Sequence, residues 1–100
     1  MSYTRIGMTY ITASWHSGAN WWVTWSDGRI EQGGRANSNV ITFHKAFKSQ
    51  ICTINANTVG SVFFACNISW YNLTQFEKYQ WQSAAGLRGT YDCLWYACGY

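Results

Sequence analysis

The sequence predicts an all-β fold, an antiparallel β-sandwich within a chain of 100 residues. Three observations predict it. Apolar residues mostly alternate with polar ones, the period of half-buried strands. β-Branched and aromatic residues dominate, with 19% of the chain Phe, Trp or Tyr. Turn residues recur at short intervals, as in sandwiches and barrels. With no repeat, linker or low-complexity tract, the chain reads as one domain. Residues 1–19 are its lead-in strand and residues 20–100 its main body.

The first hairpin is "NWWVTWSDGRIEQGG", residues 20–34. Asp27-Gly28 suits a two-residue type I′ turn, which needs positive φ at both central positions. That turn pairs Trp25 with Ile30 and Val23 with Gln32. Trp21, Val23 and Trp25 then share a core face with Ile30, while Trp22, Thr24 and Glu31 turn outward. Gly33-Gly34 is expected to break the ladder. "VITFHKAF", residues 40–47, reads as a strand with Ile41 and Phe43 on one face.

In "QICTINANTVGSVFFACNISW", residues 50–70, a turn near Val59 sets Cys52 against Cys66, Ile54 against Phe64, and Ala56 against Val62. Ile68 and Trp70 extend this apolar stripe, so the segment reads as a second hairpin. A disulfide between Cys52 and Cys66 is geometrically open there but not required. The preferred reading of the four cysteines is buried free thiols behaving as small hydrophobes. "NLTQFEKYQWQ", residues 72–82, fits helical as well as strand spacing; the reading adopted is a connection, then a strand from about Tyr79. "SAAGLRGT", residues 83–90, reads as a loop.

"YDCLWYACGY", residues 91–100, is apolar on both faces. Tyr91, Cys93, Trp95 and Ala97 share one face; Leu94, Tyr96, Cys98 and Tyr100 share the other. Such a strand is covered on both sides, and in a two-layer sandwich the second cover is another subunit.

Composition narrows the function. Charged residues make up 11%, against about 25% in a typical soluble domain. Too little charge remains for a conventional monomer surface, so apolar surface is expected to face another chain or a ligand. The net charge of +3 is scattered without a basic patch, which argues against nucleic acid. No apolar run approaches the roughly 20 residues of a spanning helix, which argues against helical membrane insertion. The N-terminus lacks the continuous apolar core of a signal peptide, so cytoplasmic synthesis is expected and the sequons at Asn67 and Asn72 read as chance matches.

The order of motifs resembles the C-terminal tip domains of bacteriophage tail fibres. The residues that carry the resemblance are the Trp-rich strand with "SDGRIEQGG", then "ITFHKAF", then a terminal W-x-A-x-G-Y at residues 95–100. The resemblance implies an antiparallel sandwich, a homotrimer at a fibre tip in a virion, and recognition of a bacterial surface glycan or protein. The domain also resembles the H-type lectins, trimeric sandwiches that bind N-acetylgalactosamine through a Trp-His pair on the strand before the last. In "YQWQS", residues 79–83, Trp81 matches that Trp and Gln82 stands in place of the His. The Arg of the preceding lectin strand has no counterpart in "VFFACNIS", residues 62–69.

Catalysis is not expected. Of the four acidic residues, Asp27 has a structural use in its turn, Glu31 faces outward, and nothing requires Glu77 and Asp92 to meet as a catalytic pair. A Cys-His nucleophile would need His16 or His44 beside a thiol, and Cys52 and Cys66 are expected to turn inward. No cofactor is implied and no Cys-x-x-Cys zinc pattern occurs; the one metal option is three copies of His44 at a trimer axis. Ligand contact is expected from aromatic rings that stack on a sugar's apolar face, flanked by amide and guanidinium donors. The candidates are Trp15, Trp22 and Trp81, with Asn20, Gln82, Arg88 and Tyr91. Two other roles stay open: a structural trimerisation or capping module, and a free-standing carbohydrate-binding lectin.

Overall fold

In a computed structural model, which describes residues 8–60, 65–82, 87–89 and 91–100, the chain forms two antiparallel sheets. The strands are β1 (Ile11–Ser17), β2 (Asn20–Trp25), β3 (Ile30–Ala36), β4 (Val40–Thr42), β5 (Ile51–Thr58), β6 (Ala65–Tyr71), β7 (Gln75–Gln82), β8 (Leu87–Gly89) and β9 (Cys93–Gly99). The first sheet has the order β1-β2-β3-β9-β5. The second has the order β4-β7-β6, with β8 paired to β7 beside β4.

The core lies between the sheets. β9 contributes Cys93, Trp95 and Ala97, β3 contributes Ile30, β4 and β7 contribute Ile41 and Phe76, and the segment after β4 contributes Phe43 and Phe47. Four rings interlock. Phe43 meets Phe47 edge-on at 4.9 Å, and both Phe43 and Trp95 lie 5.4 Å from Phe76. Offset and edge-on contacts suit ring quadrupoles and add to the area the rings bury. The last strand follows its predicted alternation: Cys93, Trp95 and Ala97 are buried, and Leu94 on the reverse face is exposed.

Several expectations are corrected. The Asp27-Gly28 hairpin has a three-residue loop. Gly28 N–H donates to the Trp25 carbonyl at 3.0 Å and Trp25 N–H donates to the Arg29 carbonyl at 2.9 Å. Gly28 takes φ of 92°, and the Asp27 carboxylate accepts from Arg29 N–H at 2.9 Å. The loop is therefore one residue longer than the type I′ form, and Thr24, not Trp25, pairs with Ile30. A one-residue slip reverses a strand's faces. Trp22 and Thr24 thus lie on the core side with Ile30 and Gln32, while Trp21, Val23 and Trp25 lie on the outer side with Glu31.

The ladder also runs unbroken through Gly33 and Gly34. Glycine is there for close approach: a Cβ on Gly33 would sit 2.6 Å from the Trp95 carbonyl oxygen, and one on Gly34 would overlap the Asn20 amide. The strand expected over residues 40–47 ends at Thr42, after which the chain folds over β3.

The second hairpin does not form. β5 pairs with β9 in the first sheet, and β6 pairs with β7 in the second. Cys52 is exposed on a bulge of β5, Cys66 lies beside Gln80, and both are free thiols. The Cys52–Cys66 disulfide and the inward turn of Cys52 fall with that register; the predicted partners Val62 and Phe64 lie outside the described residues. β7 begins at Gln75, ahead of the expected Tyr79, and the expected loop over residues 83–90 contains β8.

Candidate functional site

Among the described residues, no second sheet lies over two strands of the first sheet. Every residue of β1 is exposed, and every residue of β2 is only half-buried. Their register makes Trp15 the partner of Trp22, His16 of Trp21, and Ser17 of Asn20. Trp15 and Trp22 thus share the core-side face of a hairpin that the second sheet does not reach.

Residues 43–47 fill part of that gap. Gln32, fully buried on β3, binds this segment in both directions. Its amide donates to the Lys45 carbonyl at 2.6 Å, and its oxygen accepts from Lys45 N–H at 3.0 Å. The segment so held presents two side chains to the hairpin. The Lys45 ammonium stands 4.7 Å over the Trp22 ring, a cation–π distance. The His44 ring lies 5.4 Å from both Trp15 and Trp95. Burial pushes the His44 imidazole below its ordinary pKa, so the neutral ring is favoured. Asn20 closes the ledge, its side-chain oxygen accepting from Arg35 N–H at 3.3 Å.

The ledge joins three of the residues singled out in the sequence, Trp15, Trp22 and Asn20, to His44 and Lys45. Trp15 remains 41% exposed, enough to offer ring surface to a ligand. Indole surface with amide and ammonium donors can stack and orient a sugar or a planar group. The ledge residues carry no carboxylate that could act as a general acid or base. His44 is held between two indoles of its own chain. Among the described residues, no three groups of His, Cys, Asp or Glu cluster as metal ligands.

The other candidates are elsewhere. The backbone register of β7 and β8 pairs Trp81 with Arg88 and Gln82 with Leu87. The side chains of Trp81, Gln82 and Arg88 lie outside the described residues. Tyr91 is 39% exposed, and its backbone is tied to a buried polar group beneath it. The Gln80 oxygen accepts from Tyr91 N–H at 3.0 Å, and the Gln80 amide donates to the carbonyls of Tyr91 and Asp92. The Lys78 ammonium donates to the Gln80 oxygen at 2.9 Å and to the Tyr91 carbonyl at 2.7 Å. Asp92 meets the Arg35 guanidinium at 2.6 Å, and that hydrogen bond holds its carboxyl below the usual range.

The outer face of the first sheet has its own polar centre. Glu31 accepts from the Trp25 indole N–H and from the Tyr96 hydroxyl, each at 2.7 Å. Burial and the Glu31 carboxylate raise the Tyr96 phenol well above its ordinary pKa. Around this centre lie Trp21, 6.2 Å from Tyr96, the half-buried Cys98, and Leu94, 51% exposed. Sequence reasoning passed over Gln32 and Lys45. A signal existed in each case: Gln32 falls on the inward alternation of Ile30, and "HK" interrupts an apolar run.

No protein-family model and no curated protein matches the chain. Solved structures do. An N-truncated R2-type pyocin tail fibre matches 99% of this chain at a TM-score of 0.71 and 19% identity, the chain spanning 41% of that one's length. An N-truncated R1-type pyocin tail fibre matches 99% of this chain and 93% of its own at a TM-score of 0.62 and 19% identity. What this chain shares with the pyocin tail fibres, over nearly its whole length, is the fold.

Proposed function

We propose that the chain is a non-catalytic receptor-binding domain of a phage-tail-like fibre, homotrimeric at the fibre tip of a virion or similar particle, that recognises a bacterial surface glycan or protein. The observation that carries the reading is the fold match over 99% of the chain to two tail fibres. Surface chemistry supports it. The outer face of the first sheet exposes Leu94 beside Trp21, Trp25 and Tyr96. Sister copies would cover that surface and restore the missing cover of the last strand. Three weak sites held together would then bind a cell surface by avidity.

Two measurements test this. Light scattering should give three times the 11.5 kDa protomer mass; a stable monomer refutes the assembly. The purified chain should compete with intact fibres for adsorption to host cells. Trp15→Ala and Trp22→Ala should weaken that competition while preserving the trimer. Unchanged adsorption would instead assign the domain a structural, capping role.

A further inference from the structure

A second concave site lies at the far edge of the sandwich from the ledge. β5 is the last strand of the first sheet and β6 the last of the second, and the two run beside each other. Between them opens a cleft of about 470 Å³, lined by Ile51, Ile54, Ile68, Trp70, Tyr71 and the polar positions between them. That volume falls within the roughly 300–1,000 Å³ of small-molecule sites. Past Ile51 and Tyr71 a smaller hollow of about 310 Å³ begins, reaching Ser49 and Asn72.

The lining specifies the occupant. None of its residues is charged, so it selects neither an anion nor a cation. Trp70 and Tyr71 keep 39% and 59% of their surface exposed, and with the isoleucines they offer apolar contact to a ligand's C–H face. Two hydroxyls stand among them with complementary roles. Ser69 donates its proton to the Glu77 carboxylate at 2.6 Å, leaving its oxygen free to accept. Thr53 accepts from the Asn55 amide at 3.3 Å, leaving its proton free to donate. A neutral ligand with an apolar face and hydroxyl groups at its rim satisfies all of these.

An added peptide strand does not fit. Each edge strand carries one extra residue at the cleft, Cys52 on β5 and Ser69 on β6. These bulges interrupt the regular ladder that strand addition requires. We propose that the cleft between β5 and β6 is a saccharide subsite, built to hold one uncharged pyranose unit against Trp70 and Tyr71, with the smaller hollow taking the next unit of a glycan. Its biological source, a surface glycan, rests on the receptor-binding reading above; its chemistry does not.

The test is a titration of the full chain, followed by amide and indole N–H resonances. The probes are methyl glucopyranoside, methyl galactopyranoside, N-acetylglucosamine and its β1,4-linked disaccharide. The expected result is saturable shifts at Ile54, Ile68 and the Trp70 indole with at least one probe, tighter for the disaccharide. Trp70→Ala should weaken binding at least tenfold, Trp70→Phe should retain most of it, and Val40→Ala, outside both sites, should not change it. Shifts confined to the Trp15–Trp22 ledge overturn the proposal and leave glycan recognition standing. The absence of any shift in a chain that still adsorbs to cells overturns it too. So does protection of Trp70 by oligomerisation alone, since a sister copy would then fill the cleft. Sugar binding in the cleft of a chain that is monomeric and does not adsorb sustains the subsite and refutes the fibre-tip reading.

Discussion

Lys78 and Gln80 are both fully buried, and no carboxylate bonds the lysine. Their hydrogen bonds decide which of the two the fold needs. Among the described residues Gln80 makes four: its oxygen accepts from Lys78 and Tyr91 N–H, and its amide donates to the carbonyls of Tyr91 and Asp92. Removing Lys78 orphans no acceptor, because the Gln80 oxygen keeps Tyr91 N–H and the Tyr91 carbonyl keeps the Gln80 amide. Removing Gln80 leaves Tyr91 N–H without that partner, at about 1–3 kcal/mol, and strips the ammonium of one acceptor, at about 1.5–3 kcal/mol. Gln80→Leu should therefore cost about 3–5 kcal/mol. Lys78→Met trades a desolvated charge for an apolar chain of similar length and should stay within about 1 kcal/mol of the parent.

The double variant sharpens this contrast. With Met at 78 no ammonium is left short of acceptors, so Lys78→Met/Gln80→Leu should be more stable than Gln80→Leu alone by about 1–3 kcal/mol. Urea unfolding followed by tryptophan emission measures all four corners of the cycle, at one fixed protomer concentration because assembly shifts apparent stability. Should Lys78→Met cost as much as Gln80→Leu, the ammonium is a net source of stability and the reasoning fails. The outcome bears on function because this group fixes Tyr91 and Asp92 at the entry to β9.

Three further outcomes are expected. Gly33→Ala should lose about 1–3 kcal/mol because the added methyl meets the Trp95 backbone. Gly34→Ala meets movable side chains and should cost about 1 kcal/mol or less; equal melting temperatures for the two would refute the close-approach argument. His44 has a folded pKa below its ordinary 6.5, so its stabilising contribution is present above about 6.5 and is lost as pH falls through the folded value. Urea midpoints measured on either side of that window should differ, and His44→Gln should reduce the difference. In native protein, Cys52 should react with a thiol reagent well before Cys93, which is buried and has its pKa pushed up by burial; mass spectrometry of the partly labelled chain reads the order.

Alternation along the sequence finds inward residues only where the register is right: it turns Trp21, Val23, Trp25 and Cys52 inward, and a one-residue slip and a bulge turn them out. Elsewhere it groups Ile41 with Phe43 and Trp95 with Ala97 on shared faces and puts Ile30 on a core face, and all five are buried. Alternation does not say which strand lies alongside. Ile54 and Ala56 turn inward on β5 and Ile68 on β6. That is the same pattern a hairpin would give, but here the strands belong to opposite sheets. The first hairpin failed for a smaller reason. Asp27-Gly28 serves a two-residue loop as well as a three-residue one, since both place a glycine at positive φ. Only long-range partners choose between them: Glu31 needs Trp25 and Tyr96 on its own face, and Gln32 needs the Lys45 backbone on the other. The ledge was half-legible for the same reason. Trp15, Trp22 and Asn20 stood out as residue types, while His44 and Lys45 join them only because Gln32 folds their segment back.

The charge-poor surface raises a physical problem that the strand edges resolve. Exposed edges invite pairing with other chains, and proteins commonly block them with charge or proline. This chain has no proline, and β1, β5 and β6 contain no Asp, Glu, Lys or Arg. Each of these three edge strands instead carries a bulge: Thr12 on β1, Cys52 on β5, Ser69 on β6. The interior pairings β2–β3 and β3–β9 are regular. On the remaining edge, β4 and β8 are three residues each, too short to template a partner. Backbone geometry thus does at the edges what charge does in most sandwiches. The outer face of the first sheet, its Glu31 tied to Trp25 and Tyr96, is left largely aromatic and available to sister copies, and the β5–β6 rim is left uncharged and available to a neutral ligand.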